Sequence, residues 1–274
     1  MKIGLVVYPN CVVSGLLAFS ELLAVANKRS GKKIFETVWA GIDQKNVTVT
    51  AGGKDVVMTI EPQASLLDDS LDAILLPGFW TNSQPKVDNS IAEYRPLVMA
   101  LKQLPVNKAV WTYCTGVCLV AASGRLDNNA ATSTWWLADY LQGSYPRIPW
   151  TFSQTCVFED LNATASGLNG YLQIAQELVT KFCGQEVLRD IVDLMIIPKP
   201  EKKMEPFKLT NIMKLDDKLL RRIFVWVEKT PATDLTVGAL ANELNQSERT
   251  LTRKVRAATE QSCANFMRLI KLHQ

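Results

Sequence analysis

One histidine, His273, is found in the 274 residues, next to the last position. A Ser-His-Asp or Cys-His couple inside a fold is not expected from a residue so placed. A His-rich zinc or iron site is excluded as well. The sequence has no Gly-x-Gly-x-x-Gly loop and no Gly-x4-Gly-Lys-Ser/Thr loop. The usual nucleotide cradles are therefore absent, and no cofactor or metal is expected. No apolar run approaches the roughly 18 residues of a membrane span, so no membrane partner is expected. The six cysteines are sparse, irregularly spaced and without a Cys-x-x-Cys pair. They do not make a disulfide scaffold, and reduced thiols in a cytoplasmic protein are the expectation.

What remains is ordinary globular composition, 47% hydrophobic and 21% charged. That excludes a disordered, collagen-like or coiled-coil chain. The length allows one large domain or two ordinary ones. The net charge of +3 is mild, but it is unevenly spread. Residues 1–206 carry 18 Lys and Arg against 20 Asp and Glu, whereas residues 207–274 carry 12 against 7. A basic last quarter suits an anionic partner.

Met1–Ala26 has the outline of a secretory leader, with Lys2, apolar stretches and Ala24-Val25-Ala26. Pro9, Asn10, Ser14 and Glu21 interrupt the apolar run, and a strand followed by a helix is the better reading. Lys2–Tyr8 reads as a buried strand and Gly15–Arg29 as a helix, with Leu16, Phe19, Leu22, Leu23 and Ala26 inward. Ile34–Ala40 is the next strand, and Val47–Thr59 reads as a hairpin about Gly52-Gly53. Ala73–Leu76 is a short strand stopped by Pro77-Gly78. Ile91–Leu104 reads as one helix, Ala109–Tyr113 as a strand, and Thr115–Ser123 as a helix capped by Gly124. Trp135–Leu141 is a short helix and Ser153–Thr164 weak strands. Leu168–Cys183 and Gln185–Ile196 are two more helices. This alternation predicts an α/β fold, a doubly wound and mainly parallel sheet with helices on both faces.

The pattern then changes. Two prolines and four charges in 198–203 suit an exposed linker. Beyond it the periodicity is helical throughout: Asp216–Glu228, Thr236–Leu244, Ser247–Ala258 and Ser262–Leu272. The predicted organisation is a sensor domain over 1–197, a linker over 198–215 and a small all-α domain over 216–274.

Two local patterns carry chemistry. In Thr236–Arg256, Leu240, Ala241 and Leu244 face Leu251 and Val255 across a turn at Asn245. Ser247 stands where a helix cap belongs. The second helix leaves Arg249, Arg253, Lys254 and Arg256 outward, a shape and charge that fit a DNA major groove. By charge alone, a solvated basic face on a helical bundle is an equal reading. In Lys108–Cys118, a strand runs directly into Cys114-Thr115-Gly116, the pattern of a nucleophile elbow. It sets Cys114 at a helix N-terminus, where a thiolate is favoured. A buried structural cysteine is the plain alternative, and Cys118, one turn on, reads as core.

The stretch Asp234–Leu272, through Ser247-x-Arg249-Thr250-Leu251-x-Arg253 and Ala257-Ala258-Thr259, resembles the first helix-turn-helix of AraC-type regulators. That family carries two such units joined by a long helix. Ser262–Leu272 reads as the start of the joining helix, and a second unit is not in this sequence. Tight binding by a single copy is therefore not expected. Residues 1–197 resemble the PfpI-like domain of GlxA-family regulators, within the class I glutamine-amidotransferase-like superfamily. The stretches that carry this are Val6–Asn27, Ile74–Trp80, Tyr113–Trp136, Thr164–Gly167 and Gly184–Pro198.

The resemblance implies a flavodoxin-like sensor, a helix-turn-helix reader, and DNA contacts from Ser247, Arg249, Thr250, Arg253, Lys254 and Arg256. It also exposes two departures. Family members often carry a histidine where this chain has Thr134. Enzymes of the superfamily keep a carboxylate near the start of the first helix, and that place falls on Gly15. General-base help is worth roughly 10²–10⁴ in rate, so a binding site without turnover is expected. Cys114 and Thr115 would form its floor, Gly78 and Phe79 the opposite loop, and Thr134 and Trp135 a third side, with Glu21 near on the first helix. The expected partners are DNA, a small-molecule effector, and a second copy bound through the N-terminal domain. Two other classes stay open: a PfpI-like cysteine hydrolase or glyoxalase with a helical appendage, and an interaction protein whose DNA-binding part has decayed.

Overall fold

In a computed structural model, residues 1–51, 56–81, 83–197, 218–259 and 261–272 are described. The Gly52-Gly53 turn, the expected linker, the first residues of the predicted Asp216 helix and His273 lie outside them. The chain divides into two compact units, Met1–Lys202 and Lys203–Gln274.

Unit 1 is built on β1 (Lys2–Val6), a strand buried along almost its whole length. It pairs in parallel with β2 (Glu36–Gly41) on one side and β6 (Ala73–Leu76) on the other. A short β5 (Ala64–Ser65) extends the β2 edge. Beyond β6 come β7 (Ala109–Tyr113) and β9 (Asn162–Ala165), both parallel, and then β8 (Cys156–Glu159), antiparallel at the far edge. The order is β5-β2-β1-β6-β7-β9-β8. The expected mainly parallel, doubly wound sheet is what forms. β3 (Val47–Ala51) and β4 (Val56–Ile60) make the expected antiparallel hairpin apart from it.

Buried apolar runs such as Ala-Ile-Leu-Leu in β6 and Ala-Val-Trp-Thr-Tyr in β7 are what a sheet covered on both faces requires. On one face α1 (Ser14–Ser30), α6 (Gly170–Cys183) and α7 (Gln185–Met195) pack on one another. On the other lie α2 (Gln84–Glu93), α3 (Arg95–Gln103) and α4 (Gly116–Ala122). α1 buries Leu16, Phe19, Leu22, Leu23 and Ala26, the predicted stripe, and Gly31 ends it at φ 68.

Three local predictions need correction. The single helix expected over Ile91–Leu104 is two, broken at Tyr94. Pro96 in the first turn of α3 cannot donate to a continuing helix and disfavours helical backbone just before it. α2 also starts earlier, at Gln84, with Pro85 in its first turn. The helix expected over Trp135–Leu141 is a 3₁₀ turn, Trp135–Leu137, leading into α5 (Ala138–Ser144).

Unit 2 is helical among its described residues: α8 (Lys218–Lys229), a 3₁₀ turn (Ala232–Asp234), α9 (Val237–Glu243), α10 (Glu248–Thr259) and α11 (Cys263–Leu272). Its core is Leu220, Ile223 and Val227 from α8, Leu240 and Ala241 from α9, Leu251 and Val255 from α10, and Phe266, Met267 and Ile270 from α11. No described helix is long and apolar enough to cross a membrane.

Candidate functional site

The chain passes from β1 to β2 on one side and returns to β6 on the other, so the connections reverse between β1 and β6. In open α/β sheets, ligands bind outside the carboxyl ends of strands at such a reversal. The segments that leave these ends are Val7–Val13, Pro77–Phe79 and Cys114–Gly116.

They are tied together by hydrogen bonds. Cys11 bridges Phe79 in antiparallel fashion, and Val12 N–H donates to the Gly78 carbonyl at 2.8 Å. The Tyr8 hydroxyl donates to the Pro77 carbonyl at 2.7 Å. The Thr115 hydroxyl receives the Phe79 N–H at 2.7 Å and donates to the Phe79 carbonyl at 2.7 Å. Ser133 Oγ donates to the Cys114 carbonyl at 3.3 Å, and Thr132 N–H to Thr164 Oγ1 at 2.8 Å, so the 131–134 loop hangs on β9 and the turn.

The turn itself is strained. Cys114 sits at φ 57, a left-handed conformation rare for a residue with a side chain. It costs of order 1 kcal/mol or more and persists where surroundings enforce it. Gly116 enforces it. A β-carbon there would meet the Pro77 carbonyl at 2.5 Å and Thr112 Oγ1 at 2.7 Å. Gly78 is also constrained, since its β-carbon would stand 3.0 Å from that of Cys114. The nucleophile-elbow geometry is therefore present.

A helix N-terminus favours a thiolate, but desolvation acts against it here. Burial pushes the Cys114 thiol up, and the hydrogen bond from the Thr115 backbone N–H only partly offsets this. α4 has only seven residues, so its dipole is small, and desolvation wins. Cys11 is pushed up to about 11 by burial, and Cys118, in the core as expected, is also raised by burial. All six cysteines are free.

Of the residues singled out in the sequence, the hydrogen bonds above join Gly78, Phe79, Cys114 and Thr115. Thr134 is buried two residues past Thr132, and its hydroxyl has no protein partner. Trp135 is partly buried at the start of the 3₁₀ turn. Glu21 lies on the exposed side of α1, six residues past Gly15, and takes no part in the hydrogen bonds framing the elbow.

Two residues escaped the sequence reading. Trp80, next to Phe79, is 74% exposed beside the elbow loop. Tyr113 is fully buried between Gly15 of α1 and Gly170 of α6. Its phenol oxygen and ring fall within contact of where a Gly15 β-carbon would be, and its own β-carbon lies 2.8 Å from that of a residue built at Gly170. The signal for Trp80 was an indole beside the Pro77-Gly78 turn. Tyr113 left none, because its partners are brought to it only by the fold.

A cavity of about 700 Å³ lies elsewhere, at the starts of β7 and β9, lined in part by Leu104, Arg125, Arg147 and Asn162. Arg125 is already committed there, donating to the carbonyls of Leu104, Pro105, Val106 and Lys108.

In unit 2, α9 and α10 form a helix-turn-helix. Thr236 caps α9, accepting from Ala239 N–H at 3.1 Å. Asn245, at φ 52, ends it, and Gln246 N–H closes back on the Ala241 carbonyl at 2.9 Å. Ser247 Oγ caps α10, accepting from Thr250 N–H at 3.3 Å. Leu251 and Val255 are buried, while Ser247, Arg249, Arg253, Lys254 and Arg256 are exposed and Thr250 is half-buried.

No protein-family model matches the chain, and no curated protein matches it. Solved structures do. DJ-1beta of Drosophila melanogaster superposes with a TM-score of 0.53 at 15% identity, covering 72% of this chain and 98% of its own. An AraC family transcriptional regulator from Pseudomonas putida gives 0.52 at 13%, covering 71% and 98%. A ThiJ/PfpI family protein from Pseudomonas syringae gives 0.54 at 15%, covering 99% and 89%. At such identities the likeness is one of fold: a DJ-1/PfpI-type α/β sheet, followed in this chain by a helical region.

Proposed function

We propose that the chain is a transcriptional regulator in which unit 1 senses a small molecule at the elbow and unit 2 binds DNA through α10. The observation that carries this reading is α10 itself. Four cations are exposed on a helix whose opposite side is buried and whose start is fixed by a capped turn. Arg249 and Arg253, one turn apart, would reach base edges or phosphates, with Ser247, Thr250, Lys254 and Arg256 on the backbone. The similar fold of the Pseudomonas putida protein, named as an AraC family transcriptional regulator, supports pairing this α/β fold with gene control. So does a second similar structure, from Vibrio parahaemolyticus, named as a putative transcriptional regulator.

In this reading Cys114 turns nothing over. Gly15 and Thr134 leave it without an acid or an imidazole, and burial pushes its thiol up. Two copies of α10 on one DNA, joined through paired sensor units, gain effective concentration. A homodimer through unit 1 follows, and sedimentation at micromolar concentration checks it.

The test is a gel shift with the DNA upstream of the chain's own gene. Retardation that fades as salt rises is expected, and no retardation at low salt would remove the reading. The strained backbone of Cys114 favours a second one, a cysteine hydrolase or glyoxalase. Turnover of methylglyoxal or a peptide that vanishes in Cys114→Ser would establish it instead.

A further inference from the structure

Buried polar atoms without a protein partner gather around the elbow. Among the described residues they include Thr112 Oγ1, Tyr113 Oη and Thr134 Oγ1, two of them just before Cys114 in the chain. Leaving a buried hydroxyl unpaired costs about 1–3 kcal/mol, and folds seldom leave one without a use. Tyr113 is the sharpest case. Phenylalanine would fill the same space between Gly15 and Gly170 without the hydroxyl.

The surroundings of Tyr113 are polar but carry little charge. Tyr8, Cys11, Tyr94, Tyr113 and Cys114 lie close enough that ionising one disfavours ionising others. The Tyr8 hydroxyl is taken by the Pro77 carbonyl, and Tyr94 is bonded to Asn10. Gly15, Tyr171 and Gly170, which pack against Tyr113, are uncharged, and Glu93, an anion, acts on Tyr94. Four members are buried, and Cys114 is the one that reaches solvent.

We infer that Tyr113 is the hydrogen-bond donor of a site entered at Cys114 for a small uncharged molecule bearing a carbonyl or hydroxyl acceptor. This rests on reading the elbow as a binding site. A neutral acceptor would satisfy the Tyr113 hydroxyl. A carboxylate or phosphate would lose its hydration and meet no cation.

Alkylation of Cys114 reads this directly, using iodoacetamide as the neutral probe and iodoacetate as the anionic one. In both, the Cys114 sulfur forms a bond to carbon, iodide leaves with the electron pair, and the thiol proton goes to buffer. Rates are followed at the Cys114 peptide by mass spectrometry, with glutathione as the free-thiol reference. The preference for iodoacetamide at Cys114 should exceed that of glutathione by about tenfold, the size of one hydrogen bond. Tyr113→Phe should return it to the glutathione value without lowering the thermal midpoint. A preference equal to that of glutathione, or one that Tyr113→Phe leaves unchanged, overturns the inference.

A measurement on the unsubstituted protein stands beside it. Acetamide should slow alkylation and acetate should not, and the reverse order overturns the inference. A gel shift on the alkylated protein separates this from the regulator reading. Charge selection without any change in DNA binding keeps the site and removes the sensor role. Altered DNA binding without charge selection keeps the sensor role and removes the ligand class.

Discussion

The phenol of Tyr113 occupies the volume that a side chain on Gly15 would need. Tyr171 closes the same space from the side, 2.8 Å from the missing β-carbon. The absence of a carboxylate at position 15 is thus matched by an aromatic from β7, and the helix α1 lies as close as its glycine permits. Gly15→Ala should therefore be destabilising by about 1–3 kcal/mol through overpacking. Combined with Tyr113→Phe, part of that loss should return, because the nearest atom is removed. A double-mutant cycle by denaturant unfolding checks it, and additive costs would show that the two positions do not compete for space.

Much of the architecture was legible because it depends on local pattern. β6 and β7 form where short apolar runs meet turn residues, and the stripe Leu16, Phe19, Leu22, Leu23, Ala26 is buried as its spacing requires. The first turns of α2 were missed because Lys86, Asp88, Asn89 and Ser90 leave them only Val87 to bury, so they have no apolar stripe to read. β5 is two residues long and has no period at all. The elbow was legible as strand, Cys, x, Gly. Its support was not. Thr115 and Phe79 are 36 residues apart and meet only through the parallel pairing of β6 and β7. Tyr113 and Gly15 meet only because α1 crosses the end of β7. The raised thiol of Cys114 was unreadable for the same reason, since burial is a tertiary quantity.

Thr115 holds two segments with one hydroxyl, accepting from the Phe79 N–H and donating to the Phe79 carbonyl. Thr115→Val keeps the shape and leaves both backbone groups unpaired. A loss of about 1–3 kcal/mol is expected, together with faster hydrogen exchange at Phe79. Thr115→Ser should retain most of both. Equal stability of Thr115→Val and the original chain would show that this pairing carries no weight.

Burial holds the Cys114 thiol above its ordinary value of 9.0. The folded chain should then be slow to alkylate at neutral pH, because the thiolate is the nucleophile. The sign follows: the rate should still be climbing where a free thiol has levelled off. Unfolding in urea should bring the midpoint down to the ordinary value. A rate at Cys114 that levels below pH 8 in the folded protein would mean that the α4 dipole outweighs desolvation.

Arg249 and Arg253 stand one helical turn apart on the exposed side of α10, which places them along one line on the helix. Each Arg→Ala should weaken specific DNA binding by about 1–3 kcal/mol where the lost contact is a base edge, and should relax preference at one position of the site. Lys254 is different. Its ammonium is held by Gln246 Oε1 at 3.1 Å, near the turn, so a phosphate contact is its natural role. Lys254→Ala should weaken all sequences alike and shallow the salt dependence by about one unit of slope. These variants sit on solvent-facing positions, so circular dichroism should be unchanged in each. Ser247→Ala supplies the contrast. Its hydroxyl caps α10, and its loss should cost about 0.5–2 kcal/mol of stability in unit 2 as well as affinity. If Arg249→Ala and Arg253→Ala both bind a footprinted site as tightly as the original chain, α10 is not the reading helix.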